Sequence, residues 1–564
     1  MENKTQKHWM RKIILPIIIT LVFAAVWFYI TIPAINIKSS DFWTYVIIVI
    51  AVFFGVRYLL CKNLPKKTRK ESQETTEVKI GGQVIKVNTS KKRFKKYLRI
   101  GGVVLGVVVV IVGAIWISSS EIFNAGDYHD QLSVETGNFQ EDIAELPLSQ
   151  IPVVDKEMAI KLGNRKLGEV VSLVSQFEIS NMYTQINYQN SPTRVSPLEY
   201  SDIIKWFTNQ SQGVPYYIKI NMATQQTDLV ELDQPMKYGD YEHFNRNLYR
   251  HIRFAYPTAM LDDAVFEIDE SGAPFWVVPI YDFEIGFLGG KDITGIVLVD
   301  AVTGEMTHYD IGDVPQWIDN AYPADLLNTQ ADNWGKYSNG WFNSIFGQRD
   351  VITTTPGYTS LALNDDLWMY TGLTSVTGDQ SNIGFILVNM RTKETKYYQI
   401  NGADEESAMR SAEGKVQEKN YAATFPILIN VSNYPTYFLS LKDEAGLIKQ
   451  YAFVSVENYQ IVGVGESIPA AQDSYVKQMQ SSGANAASTS ETIEVSGTIG
   501  TLASAVKDGN TNYYFTLTDD PAITYVASIE KSDELPMLTP GRSVSMTYTT
   551  TDSNIRYVST IDVI

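Results

Sequence analysis

Hydrophobic residues fall into two regimes along this chain. Up to residue 120 they form long runs. Residues 13–37 and 100–120 carry no charge, and residues 42–61 carry only Arg57, close enough to the end of its run to snorkel. A helix needs about 20 apolar residues to cross a bilayer, so the pattern predicts three transmembrane helices. The first run is too long, and too soon followed by a second, for a cleaved signal peptide.

Beyond residue 120 the apolar positions alternate over short stretches. Residues 216–232, 295–311 and 384–400 share one pattern: an apolar strand, a turn opened by Asn221, Asp300 or Asn389 with a Thr three residues on, and a second strand. Short polar side chains at such positions bond nearby backbone groups, so each stretch predicts a β-hairpin. An alternating hairpin needs cover on one face, and helical patterns follow at 239–257 and 403–426. The order hairpin, helix, strands, hairpin occurs twice, at 215–312 and 383–465, which predicts a duplicated α+β module. Asp155 is placed to cap a helix, as is Ser196, with Pro197 in its first turn and Glu199 three residues after the cap.

Charge separates the same two regimes. Residues 1–119 hold 19 basic and 5 acidic side chains, and the remainder holds 27 basic against 58 acidic. The basic residues concentrate at the N-terminus and in 62–99. Basic loops stay cytoplasmic, so residues 121–564 are expected outside the cell, in a multi-pass cell-membrane protein. Cys61, the single cysteine, falls in the membrane-anchor region. The exterior therefore relies on apolar cores rather than disulfides, a habit that suits a bacterial envelope. The basic loop serves either as a topology signal or as an attractor of anionic lipid headgroups.

The stretch "FEIDESGAPFWVVPIYD", followed by Val299-Asp300-Ala301-Val302-Thr303-Gly304, resembles the strand-turn-strand end of a PepSY-type domain. The second copy, Val388-Asn389-Met390-Arg391-Thr392-Lys393, departs from it in lacking the Asp and the Gly. The resemblance implies a non-catalytic, extracytoplasmic module that modulates a partner. Residues 493–564 carry about five short strands and resemble a small OB-like barrel. Their four basic and nine acidic residues argue against nucleic-acid binding.

The expected fold class is thus α+β: three N-terminal transmembrane helices, a duplicated PepSY-like ectodomain and a small C-terminal all-β OB-like barrel. The expected division is an anchor (1–120), a helical stalk or cap (121–214), a first module (215–312), an aromatic connecting region (313–382), a second module (383–468), a linker (469–492) and the barrel (493–564).

No HExxH, G-x-S-x-G, P-loop or EF-hand loop occurs. The exterior histidines His129, His243, His251 and His308 have no zinc spacing, so no metal and no cofactor are assigned. Asp365, Asp366 and Asp379 offer oxygen ligands that suit Ca²⁺, or form a solvated acidic loop. Trp368 and Tyr370 beside them suit a glycan or peptide, or else join the two modules as core. The expected function is a membrane-anchored, non-catalytic scaffold or modulator that binds another envelope protein. The alternatives are a sensor of glycan, peptide or Ca²⁺ and an envelope hydrolase with an unfamiliar site.

Overall fold

The computed structural model describes residues 14–62, 76–80, 83–87, 106–107, 110–376, 381–482, 492–507, 510–532, 534–549 and 555–564. Helix α1 spans Leu15–Thr31 and α2 spans Ser40–Lys62. Among the described residues one helix, Ser40–Leu60, is long and apolar enough to cross a membrane. The expectation of three spans is therefore corrected. The first apolar run is not one helix: Ile32 takes a left-handed conformation (φ 41°) and Pro33 follows it. The residue before a proline is kept out of the α region, so α1 stops at 17 residues. In the third run, 110–119 are helical (α3), and most of its earlier part lies outside the described residues. So do the basic stretches 63–75 and 88–99. Strands β1 (Thr76–Ile80) and β2 (Gln83–Val87) pair between them. Helix α4 (Glu121–His129) follows α3, and β3 is Val134–Thr136.

One connectivity then recurs four times: a helix, a short strand, and two consecutive hairpins. Unit I has α5 (Lys156–Gly168), β4 (Phe177–Ile179), β5 (Thr184–Tyr188), β6 (Ser191–Tyr200), a short helix α6 (Ile203–Asn209), β7 (Val214–Asn221) and β8 (Thr227–Met236). Unit II has α7 (Leu248–Ala255), β9 (Met260–Leu261), β10 (Val265–Ile268), β11 (Pro274–Ile285), β12 (Gly289–Asp300) and β13 (Met306–Asp310). Unit III has α8 (Ala324–Lys336), β14 (Ile352–Thr354), β15 (Thr359–Leu363), β16 (Asp366–Ser375), β17 (Ser381–Asn389) and β18 (Thr395–Tyr398), followed by β19 (Gly402–Ala403). Unit IV has α9 (Glu405–Lys415), β20 (Ala422–Ala423), β21 (Ile427–Val431), β22 (Tyr434–Lys442), β23 (Ile448–Ser455) and β24 (Val462–Gly465). In each sheet the short strand and the first hairpin strand lie end to end along one edge of the next strand, as β9 and β10 do along β11. Strands β3 and β19 extend the sheet of unit III.

The duplicated module is thus corrected to four units in separate sheets. The three hairpins visible in the sequence close units I, II and III; they do not open new modules. Their turns are held as the residue pattern implies. The Oδ1 atoms of Asn221, Asp300 and Asn389 each accept two backbone N–H groups at 2.7–3.0 Å. The residue after the Thr has positive φ in all three (Gln225, Gly304, Lys393), so only unit II uses the glycine that favours it.

The central strands of units II, III and IV are buried on both faces. Along β11, Trp276 and Val278 face a core shared with units I and IV, while Val277 faces one shared with unit III. Along β16, Met369 faces unit II, and Trp368 and Tyr370 face unit IV. Along β22, Tyr437 and Leu439 face unit III, and Phe438 faces unit I. Three cores therefore tie I to II, II to III, III to IV and IV back to I, which closes a ring. Each fully buried large side chain contributes roughly 1.5–3 kcal/mol.

Two further elements differ from expectation. The strand β6 runs through Ser196 and Pro197 to Tyr200, and α6 starts later, capped by Asp202 through Ile204 N (2.7 Å) and Lys205 N (2.8 Å). The stretch expected as a linker begins with helix α10 (Ile468–Ser481), which buries Ala471, Tyr475 and Met479 against units I and IV. Strands β25 (Thr492–Lys507), β26 (Asn510–Leu517), β27 (Asp520–Ser528), β28 (Ser543–Thr549) and β29 (Ile555–Val563) close into a barrel of order β25-β26-β27-β29-β28. Most of the strands lie outside it, in the four unit sheets.

Candidate functional site

The first hairpin strands of the units, β5, β10, β15 and β21, lie toward the middle of the ring, and cavities open where they meet. One, about 520 Å³, lies between units I, II and III. A smaller one of about 130 Å³ lies between I, III and IV. Arg194 on β6, with Gln185, Thr359 and Ser360, lines both.

Arg194 is an exception to the pattern of its own sheet. Strand pairing places it where the other units carry Trp276, Met369 and Tyr437. Its guanidinium donates to the carbonyls of Val154 (3.4 Å) and Tyr183 (3.2 Å) and to Gln185 Oε1 (3.4 Å). Burial lowers its pKa to about 10, so it stays charged at neutral pH. The acid that supports that charge, Asp155, is itself engaged by Lys442. Among the described residues no ion pair reaches Arg194. Of the acids lining the larger cavity, Asp262 is bound to Lys291 at 2.5 Å.

Beside this cleft lies a buried pair of carboxyl groups. Glu267 occupies a β10 position that is Ile186, Leu361 and Ile429 in the other units. It accepts Asp319 N (3.1 Å), Asn320 N (2.9 Å) and Asn320 Nδ2 (2.8 Å), and so pins the segment between units II and III. Asp319 accepts Asn187 N at 2.6 Å through Oδ2, and its Oδ1 has no hydrogen-bond partner among the described residues. Burial pushes the Glu267 carboxyl up to about 7. Asp319 is raised too, by burial first and then by the charge of Glu267. Two carboxyls this close have the composition of a hydrolytic dyad. Both side chains are sealed from solvent, however, and their donors come from the chain itself.

The residues picked from sequence are placed as follows. Asp365 accepts Asn187 Nδ2 (3.3 Å) and Gln316 Nε2 (3.1 Å). Asp366 binds Arg391 in bidentate fashion, at 2.7 and 2.9 Å, and accepts Asn389 Nδ2 at 3.0 Å. These two acids stand next to each other but serve different partners. Trp368 and Tyr370 lie in the core between units III and IV and away from the cleft; the Tyr370 hydroxyl donates to the buried Glu405 at 3.1 Å. Asp379 lies outside the described residues. Among those residues no group of three or more His, Cys, Asp or Glu is placed to hold a metal ion. Each histidine among the described residues packs against an aromatic ring: His129 on Trp334, His243 on Trp206, His251 on Tyr238 and His308 on Tyr256. The residues not picked from the sequence carry a weak local signal: Glu267 is the one charge within β10, and Arg194 the one base within β6.

No protein family model matches this chain, and no curated protein matches it. Among solved structures, yeast Stn1 and Ten1 align over 13% of this chain and 42% of theirs, with 16% identity and a TM-score of 0.12. A mutant of the Synechocystis apocarotenoid oxygenase aligns over 68% of this chain and 61% of its own, with 9% identity and a TM-score of 0.14. The chain thus covers less than two thirds of either, and similarity this low carries no argument about fold or function. What can be said plainly of location is that an apolar helix near the N-terminus has the length to cross a membrane.

Proposed function

We propose that this protein is a membrane-anchored, non-catalytic scaffold or modulator on the extracytoplasmic side. It holds another cell-envelope protein by a segment seated in the cleft between units I, II and III. The observation that carries the reading is Arg194, a buried guanidinium that lines two cavities and has no ion-pair partner among the described residues. A desolvated cation of this kind favours a carboxylate from outside, because a charge-assisted bond strengthens as water leaves. The sequence resemblance of the closing hairpin of unit II to the end of a PepSY-type domain implies a modulator and agrees with this reading. The cleft's residual acids, Asp263 and Asp325, disfavour a partner of high negative charge and leave room for one carboxylate on a mixed segment. The sensor reading has no support at Trp368 and Tyr370, which are committed to a core, and the hydrolase reading has none at Glu267 and Asp319, which are sealed from solvent.

The test is crosslinking in the native membrane with recovery of what is bound, comparing wild type with Arg194→Leu and Arg194→Lys. Hydrogen bonds to a charged group contribute about 1.5–3 kcal/mol, so Arg194→Leu is expected to lower recovery of the partner roughly tenfold or more. Arg194→Lys keeps the charge and is expected to fall between. A partner recovered equally with all three chains would sink the reading, as would the absence of any partner.

A further inference from the structure

Both apolar helical segments leave the ring at one place. Beyond α1, Ile35 N donates to the Pro257 carbonyl (2.7 Å), Arg253 Nε to the Ile32 carbonyl (3.0 Å), and Lys38 pairs with Asp282 (2.8 Å). At the α3–α4 junction, Ser119 Oγ accepts Phe287 N (3.0 Å) and Leu288 N (2.9 Å). Asp282 and Phe287 belong to the same tip, the β11–β12 turn. Gly286 (φ 62°) lets that turn close on the helix, since a Cβ there would lie 2.0 Å from the Ser118 carbonyl oxygen.

Two groups of exposed apolar side chains flank this junction. On one side, Ile203, Ile204 (66% exposed) and Phe207 on α6 lie beside Phe244, around the buried Trp206. The Phe244 carbonyl accepts Arg250, whose Nε also binds the Tyr29 carbonyl at the end of α1 (3.0 Å). Phe254, also exposed, touches Phe28 and Tyr29 of α1. On the other side, exposed Phe342 stacks on Phe346 (77% exposed), with Ile345 between them. Their neighbour Trp341 lines a cavity with Ile115 and Trp116 of α3 and with Leu288 of the tip. Soluble surfaces rarely expose apolar groups this large in clusters. Here they continue the apolar surface of the anchor helices, and aromatic side chains are favoured at the membrane–water interface.

We propose that these two patches are a lipid-binding face, and that the ring rests on the bilayer with α6 and residues 342–346 entering its interface. The inference rests on the membrane-anchoring reading above and goes beyond it in fixing which side of the ring meets lipid. Glu270 gives the opposite pole: it is exposed at the other end of β11, which is 12 residues long, or roughly 40 Å at the rise of a strand.

The test uses the full chain in vesicles containing lipids brominated in the acyl chain. With Cys61→Ser as background, an environment-sensitive dye is attached at Phe207→Cys, Phe346→Cys, Leu59→Cys or Glu270→Cys. Quenching at 207, 346 and 59 but not at 270 is the expected result. Quenching at 59 with none at 207 or 346 overturns the lipid-binding face and leaves the anchor standing. Loss of quenching at 59 overturns the anchor itself, and the inference with it. Quenching at 270 as strong as at 207 overturns the orientation.

Discussion

A carboxyl group in the middle of a protein is stable only if donors meet it or a proton neutralises it. Glu267 has both: three N–H donors from Asp319 and Asn320, and a pKa pushed up to about 7 by burial. The direction of the shift fixes the pH dependence. Between the ordinary glutamate value of 4.5 and about 7 the folded state holds a proton that the unfolded chain has released. Stability therefore falls as pH rises through this window, by roughly 3 kcal/mol at about 1.4 kcal/mol per unit, and levels off above it. Glu267→Gln removes this term. Its unfolding free energy should vary less between pH 5 and 7.5 than that of the wild type, measured by urea titration. Equal slopes in the two proteins would show that Glu267 titrates as an ordinary carboxyl. The sequence places charges at residues 267 and 194, but does not show which neighbours they meet. Asp319 is 52 residues from Glu267, and only the closure of the ring brings the two together.

At the scale of elements, what the sequence made legible was local bonding. The hairpin turns at Asn221, Asp300 and Asn389 follow from side chains that reach their own backbone, and Asp155 caps α5 by accepting Met158 N at 2.9 Å. Asp300→Ala removes acceptors for Val302 N and Thr303 N and should cost about 1–2 kcal/mol of unfolding free energy. A change of a few tenths would mean that the hairpin holds without the bond. The misread elements have tertiary causes. Ser196 and Pro197 look like a helix start, yet their backbone pairs with β7 along Tyr217 and Ile218. The composition of α10 is that of a linker, but Ala471, Tyr475 and Met479 recur every four residues and pack on a sheet face that would otherwise be bare. The first apolar run reads as a span because hydropathy does not register that Ile32-Pro33 turns the chain toward the ring.

For the whole molecule, the acidic excess beyond residue 119 and the apolar start were legible as two regimes, and the fold between them only in part. The turn motif repeats in units I, II and III, but the two modules drawn from it, 215–312 and 383–465, each begin in the middle of a unit. The fourth uses Ser455, which accepts Asn458 N, and so escapes the motif. Long-range order was invisible because the central strands β11, β16 and β22 are buried on both sides by neighbouring units, so they show no polar face that would reveal their layer.

The account rests on these units forming one closed ring, and hydrogen exchange of the full chain in nanodiscs tests that most directly. The cores are shared between I and II, II and III, III and IV, and IV and I. Amides of β6, β11, β16 and β22 should therefore exchange through one opening with a common free energy, and the barrel β25–β29, with a core of its own, through another. If unit I opened far more readily than unit IV while the rest of the ring stayed protected, the ring would not be closed, and the cleft at Arg194 would lose the frame that shapes it.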